Sequence, residues 1–158
     1  MLSSTPIVGP WAKEKLEALS RYLDFYTKVL KNQRWCKTIY VDAFAGGGRA
    51  IVRAAPSQNS PDQLLLLDEN EADADQVELI SGSPRVALEV ASPFSWYVFI
   101  DPHPDRASEL RVLRQEYTDH AIDVLQVNAE SGIEWVVSHG VSRRTHRGIA
   151  FLDPFGAK

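Results

Sequence analysis

Apolar side chains follow a helical spacing near the start of the chain. Leu16, Leu19, Leu23, Tyr26 and Leu30 succeed one another at three- and four-residue steps, which is the period of one face of an α-helix. Pro10 suits a first helical position. The pattern therefore predicts an amphipathic helix from Pro10 to about Lys31, with Trp11 packed into the core beside the other apolar residues. Residues 1–9 are expected to be irregular.

Four later segments are short, apolar, and rich in β-branched and aromatic residues, as buried strands are. They are Thr38–Phe44, Ser95–Asp101, Ile122–Val127 and Gly148–Asp153. Helical segments separate them: one capped by Ser83 with Pro84 in its first turn, then Pro104–Tyr117 and Ser131–Gly140. Alternating strands and helices predict an α/β fold with four parallel strands and helices on both faces of the sheet.

One segment, residues 49–82, interrupts this alternation. It opens with a Pro/Ser/Asn loop and contains two apolar runs, "QLLLL" and "QVELI", separated by the acidic tip Asp68–Asp75. This pattern predicts an inserted hairpin whose acidic turn is solvated. No metal is expected there, because the sixth and twelfth positions of an EF-hand loop are occupied by Asp73 and Leu79.

Composition narrows the class of protein. A chain of 158 residues with 44% hydrophobic and 24% charged residues fits one globular domain, 1–158. Cys36 is the single cysteine, which excludes an intramolecular disulfide and fits a reducing cytoplasm. No apolar run is long enough to span a membrane. The net charge of −4 does not indicate wholesale nucleic-acid binding, although residues 1–62 carry nine Lys/Arg against five Asp/Glu. A basic loop, "SRRTHR" (Ser142–Arg147), is a candidate phosphate contact or a solvated turn.

Polar clusters stand where the predicted strands end, and in parallel sheets ligands bind at that edge. Gly46, Gly47 and Gly48 allow close approach of a ligand, yet match neither the dinucleotide nor the phosphate-loop fingerprint. They favour a nucleoside-type ligand ending in an amino acid, or simply a tight turn. Asp101 is suited to ribose hydroxyls or to capping a helix. Asn128 and Ala129 are suited to an adenine edge or to an Asx turn.

The order of these motifs resembles that of Rossmann-like S-adenosylmethionine-dependent methyltransferases. The motifs are "VDAFAGGG", "FIDP", "VNAE" and "FLDPFG". Together with "VGPWAKEKLEALSRYL" and "SGSPRVALE", they more narrowly resemble the three-Cys-motif partner family, bacterial proteins encoded beside a radical-SAM-like three-cysteine protein. This resemblance implies the N-terminal half of a Rossmann-like methyltransferase sheet, preceded by a helix and carrying the insertion 49–82.

The resemblance also implies a binding site for S-adenosylmethionine. Asp101 would hold the ribose, Asn128 and Ala129 would border the adenine, and Lys15 would contact the methionine carboxylate. The methionine half would lie against the stretch from Asp42 to Gly48, namely Asp42, Ala43, Phe44, Ala45, Gly46 and Gly48.

Catalysis is implied for Asp153, Pro154 and Phe155, which resemble the motif of methyltransferases that act on planar amino groups. Asp153 and the Pro154 carbonyl would accept hydrogen bonds from the substrate NH₂, and Phe155 would stack on its plane. The alternative is a strand-ending turn. A carbon-5 cytosine methyltransferase is set aside, because Cys36 precedes the first strand and no Pro-Cys nucleophile follows the fourth.

Two functions remain open from the sequence. One is a methyltransferase; the other is a catalytically silent subunit that binds a radical-SAM-like three-cysteine partner protein. Few residues follow the fourth strand, so we expect the domain to be truncated there. Its unpaired edge is then expected to associate with another copy or with a partner protein.

Overall fold

A four-stranded parallel sheet forms the centre of the fold. The computed structural model describes residues 7–53 and 77–154. The strands of the sheet are β2 (Lys37–Asp42), β5 (Trp96–Ile100), β6 (Ile122–Leu125) and β7 (His146–Phe151). They lie in the order β6-β5-β2-β7, all parallel. The prediction of an α/β fold with four parallel strands is confirmed, and the fourth of these strands along the chain, β7, lies beside the first, β2.

Helices cover both faces of this sheet. They are α1 (Trp11–Leu30), α2 (Ser83–Leu88), α3 (Pro104–Glu116) and α4 (Ala129–Ser138). The first three pack on the face that carries Tyr40, Tyr97 and Phe99, all fully buried. Full burial of a side chain such as Phe99 stabilises the folded state by about 1.5–3 kcal/mol relative to leaving that side chain exposed. On the other face, Val136 of α4 packs in a smaller core with β2 and β5.

A second, smaller sheet stands beside the first. Strand β3 (Arg49–Arg53) pairs antiparallel with β4 (Val77–Ser81) and parallel with the two-residue strand β1 (Ile7–Val8). An antiparallel strand pair is therefore present in the predicted insertion, but one of its strands is Arg49–Arg53, where the sequence analysis predicted none. The run "QLLLL" and the acidic tip Asp68–Asp75 lie outside the described residues. The expectation that residues 7 and 8 are irregular is wrong, because their backbone groups pair with Ile51 and Val52.

Two further expectations are corrected. Gly82, not Ser83, is the N-cap of α2, and Ser83 instead turns its hydroxyl towards Asp42. Trp11 is 59% exposed rather than packed in the core. It begins α1, and the residues of that helix that do reach the core are Leu19 and Leu23. None of the helices in the described ranges has both the length and the apolarity to cross a membrane.

Candidate functional site

The glycine turn after β2 depends on backbone conformations that glycine adopts easily. Gly46 and Gly48 have φ values of +62° and +79°, in the left-handed region that disfavours side chains. The amide of Gly82 donates to the carbonyl of Gly48 at 2.9 Å. A Cβ at Gly47 would overlap the side chain of Glu109 on α3. The turn is thus held between α2 and α3, which fixes the backbone that leaves β2.

Asp101 holds this turn from the neighbouring strand. One carboxylate oxygen accepts from the Gly46 amide at 3.1 Å, and the other accepts from the His103 amide at 2.9 Å. The Arg106 Nε lies 3.0 Å from both oxygens. These four contacts use about all the acceptor sites of a carboxylate. Asp101 therefore anchors the glycine turn and the start of α3, and it could accept from ribose hydroxyls only if Arg106 moved away.

Asn128 also serves the protein itself. Its Oδ1 accepts from the Ser131 amide at 2.8 Å, which makes Asn128 the N-cap of α4, and Ala129 is the first residue of that helix. The sequence analysis gave an Asx turn as the alternative for Asn128, and the structure shows a helix cap. Both residues still lie at the carboxyl end of β6, beside Asp101 at the end of β5, so the predicted rim of strand ends is present. The side chain of Asn128 is exposed there.

Asp42 is fully buried at the end of β2. Its Oδ2 accepts from the Ser83 hydroxyl at 2.5 Å and from the Tyr40 hydroxyl at 3.3 Å, and its Oδ1 accepts from the Phe44 amide at 3.3 Å. Burial raises the pKa of Asp42 from 3.8 to about 7, against the lowering effect of these hydrogen bonds, and the charge of Asp153 raises it further. Asp42 thus lies in the interior, where it ties β2 to α2.

A cavity of about 270 Å³ opens beside the ends of β2 and β7. Its lining includes four of the predicted cofactor or catalytic residues: Lys15, Phe44, Asp153 and Pro154. Trp11 and Ser83, which the sequence analysis assigned to the core and to a helix cap, also line it. Residues of the small sheet complete one wall: Ile7, Val8 and Ala50.

Two of the residues that line this cavity form an ion pair. The Lys15 Nζ lies 2.6 Å from Asp153 Oδ1, and both side chains are about one-third exposed. The same ammonium lies 4.5 Å from the centre of the Trp11 ring, a cation–π distance. α1 therefore brings a cation and an indole to the tip of the fourth strand. Trp11 precedes Lys15 by four residues, about one helical turn. This spacing places the two side chains on the same face of α1, so their contact could have been predicted from the sequence.

Two groups of predicted residues lie at separate places in the site. Lys15, Phe44, Asp153 and Pro154 share the cavity, whereas Asp101, Asn128 and Ala129 lie along the rim of β5 and β6. Ala43 and Ala45 are buried and link the strands, with their amides bound to the carbonyls of Phe151 and Ile100. Phe155 lies outside the described residues. The described residues contain no group of three or more His, Cys, Asp or Glu side chains placed to hold a metal.

Comparison with known proteins supports the fold. No family model and no curated protein matches the chain. The structure is similar to the crystal structure of protein LPL1258 from Legionella pneumophila str. Philadelphia 1, which carries the family designation DUF519. The TM-score is 0.53 at 15% identity, over 89% of this chain and 54% of that one. This chain thus spans about half the length of that protein, and at such low identity the likeness shows the fold alone: a mixed α/β domain built on a parallel sheet.

Proposed function

We propose that the chain binds S-adenosylmethionine and transfers its methyl group to a planar amino group. The observation that carries the proposal is the position of the cavity. The strand order reverses between β2 and β7, since β5 and β6 extend from one side of β2 and β7 lies on the other. Ligands of open α/β sheets bind at such a switch point, beyond the carboxyl ends of the strands. The cavity lies there, between Phe44 after β2 and Asp153 after β7.

The cavity is too small to hold the whole of S-adenosylmethionine, so we place the two halves of the cofactor at different positions. Binding sites for small molecules generally measure about 300–1,000 Å³, and this cavity measures about 270 Å³. It suits the reacting centre rather than a whole nucleoside cofactor. In our proposal the adenosine half therefore lies along the open rim near Gly46 and Asn128. The methionine half points towards Lys15, the one ammonium that lines the cavity among the described residues.

The chain's own groups would supply alignment. S-adenosylmethionine provides an electrophilic methyl group when bound. The Asp153 carboxylate and the Pro154 carbonyl would accept hydrogen bonds from an amino group, which draws its lone pair out of conjugation. Lys15 keeps the carboxylate in a fixed position through the 2.6 Å contact, and Phe44 and Trp11 offer apolar and aromatic surface. Catalysis of this kind rests on proximity and orientation.

The proposed contact between Asp101 and the ribose requires a side-chain movement. Its acceptors are engaged by Gly46, His103 and Arg106, so the proposal requires the Arg106 side chain to swing away as the cofactor binds. Arg106 is about one-quarter exposed, which leaves it room to turn towards solvent. Arg106→Ala would then strengthen cofactor binding, because it frees two acceptor sites in advance.

Calorimetric titration of the full chain with S-adenosylmethionine tests the proposal. Lys15→Ala should weaken binding by about 1.5–3 kcal/mol, the contribution of a hydrogen bond to a charged group. Lys13→Ala is the matched control, because Lys13 lies on the same helix but pairs with Glu78. Asp153→Asn should leave binding within about threefold and abolish transfer of labelled methyl groups to total RNA, DNA or protein. No binding by the unaltered chain would refute the proposal and leave the partner-subunit function as the hypothesis to pursue.

A further inference from the structure

Positive charge is concentrated in two separate segments of this acidic chain. Residues 25–41 and 135–152 hold seven of its 17 Lys and Arg and none of its 21 Asp and Glu. The first segment runs from the end of α1 into β2, and the second runs from α4 into β7. Six of the seven, all exposed, are here termed the basic face: Lys31, Arg34, Lys37, Arg143, Arg144 and Arg147.

The fold brings the two segments together at the amino end of the sheet. The amide of Lys37 donates to the Thr145 carbonyl at 2.7 Å, and Lys37 is paired with His146 in the β2–β7 register. Lys31 and Arg34 line one shallow groove of about 350 Å³ just before β2. Residues distant in sequence thus form one electropositive surface.

These charges are not neutralised by the rest of the described structure. No described carboxylate lies within ion-pair distance of a basic-face side chain, whereas Lys13, Lys15, Arg85 and Arg106 each have an acidic partner. Six cations that have no acidic partner among the described residues repel one another, so their free energy falls when a polyanion approaches. The surface is therefore complementary to a chain of phosphates.

An aromatic side chain stands among these cations. Trp35 is 51% exposed, and its indole Nε1 donates to Gln33 Oε1 at 3.0 Å. The Arg147 guanidinium lies 5.1 Å from the centre of the Trp35 ring. Arg147 is itself held by donating to the Arg143 and His146 carbonyls at 2.6 and 2.8 Å. The indole is thus positioned on the surface, with half of its area open to a planar ligand.

We propose that the basic face binds single-stranded nucleic acid, with its cations on the phosphates and an unpaired base stacked on Trp35. Exposed aromatics within a basic groove are how proteins bind single strands without sequence preference. A duplex keeps its bases stacked and would leave Trp35 without a partner. An anionic membrane would meet the same charges but offers no ring for the indole.

The distance between the basic face and the cavity gives an estimate of how many nucleotides would connect them. Strand β7 runs from His146 to Phe151, which lines the cavity, and a strand rises about 3.3 Å per residue, so its two ends lie about 17 Å apart. Stacked nucleotides advance about 3.4 Å each. About five nucleotides would span the length of β7 between the basic face and the cavity, although binding at the basic face does not depend on the methyl-transfer proposal.

Fluorescence anisotropy with labelled 12-nucleotide single-stranded RNA and DNA tests this inference on the full chain, without S-adenosylmethionine. We expect binding of at least one oligonucleotide, weakening with salt. Arg143→Gln/Arg144→Gln should lower the slope of log affinity against log salt by about 0.7 for each lost contact. Trp35→Ala should reduce affinity by about 5- to 100-fold, and Trp35→Phe should restore most of it, since a phenyl ring still stacks.

The matched control removes two cations elsewhere. Arg111→Gln/Arg114→Gln on α3 changes the net charge equally and should leave the affinity within about twofold. Lys31→Gln/Arg34→Gln provides a second test if the first double variant does not fold. A lack of binding to both oligonucleotides at 50 mM salt would overturn the proposal. So would equal losses in the control, or binding to phosphatidylserine vesicles through the same residues without binding to either oligonucleotide.

Discussion

Replacing Asp42 with asparagine tests the electrostatics at the end of β2. The carboxyl group is fully buried, and burial raises its pKa from 3.8 to about 7. Between those two values the folded state holds a proton that the unfolded chain has released. The free energy of unfolding therefore falls as pH rises through this window, by about 1.4 kcal/mol per pH unit. Above pH 7 the accumulated loss is about 4 kcal/mol.

Asparagine imitates the protonated acid in shape and carries no charge at any pH. Its oxygen can accept from the Phe44 amide, while its NH₂ group can donate to the hydroxyl oxygens of Ser83 and Tyr40, which can also act as acceptors. The unaltered chain and Asp42→Asn should therefore differ little near pH 4. At pH 8 the variant should be more stable by several kcal/mol, which is a large part of the roughly 5–15 kcal/mol that stabilises a domain.

Urea unfolding at pH 5, 6, 7 and 8 measures this difference. The informative quantity is the stability of the variant minus that of the unaltered chain, plotted against pH. Asp119→Asn, at an exposed position, controls for the removal of one negative charge. A difference that stays constant from pH 5 to pH 8 would refute the reasoning. It would mean that the hydrogen bonds from Ser83, Tyr40 and Phe44 compensate the carboxylate for its burial.

Two further predictions concern the backbone and the sheet edge. Gly48→Ala should destabilise the fold by more than the 1–2 kcal/mol or so of left-handed strain, because its new Cβ would also lie 3.0 Å from Leu113. Gly140→Ala has the same type of strain with open space around it, so urea unfolding should show a smaller loss; equal losses would contradict the packing argument. Among the described residues, no strand pairs with the second edge of β7, so sedimentation should show self-association at micromolar concentration. Ala150→Lys should weaken this self-association. A monomer at all concentrations would show that the edge of β7 does not mediate association.

The strands and helices of the large sheet could be predicted because their sequence patterns are long and repeated. Apolar runs bounded by turn residues gave β2, β5, β6 and β7 to within about two residues. Strand β1 could not be predicted, since two residues carry no periodicity and their pairing depends on β3, about 40 positions away. The pairing of β3 with β4 was not predicted, although the alternation in "RAIVR", with Ala50 and Val52 buried, was a readable strand signal.

The site, like the fold, could be predicted from the sequence only in part. The sequence predicted which residues lie at the strand ends, because parallel strands end at one edge. It could not predict which acceptors the protein would use itself. Asp101 contacts Arg106 five positions later, and Asn128 contacts Ser131 three positions later. Both contacts depend on the angle at which a helix leaves its strand. The ion pair of Lys15 with Asp153 joins residues 138 positions apart, so only the assembled fold brings them together.

The cavity wall made by the small sheet has a consequence for how this site can change. Ile7, Val8 and Ala50 face the cavity from β1 and β3, whereas Phe44, Asp153 and Pro154 reach it from the large sheet. The two sheets have separate hydrogen-bond ladders, so the shape of this wall can be redesigned without altering strands β2 and β7. Grafting different hairpins at Arg49 and Ser81 would vary the shape of the cavity while Phe44, Asp153 and Pro154 keep their places.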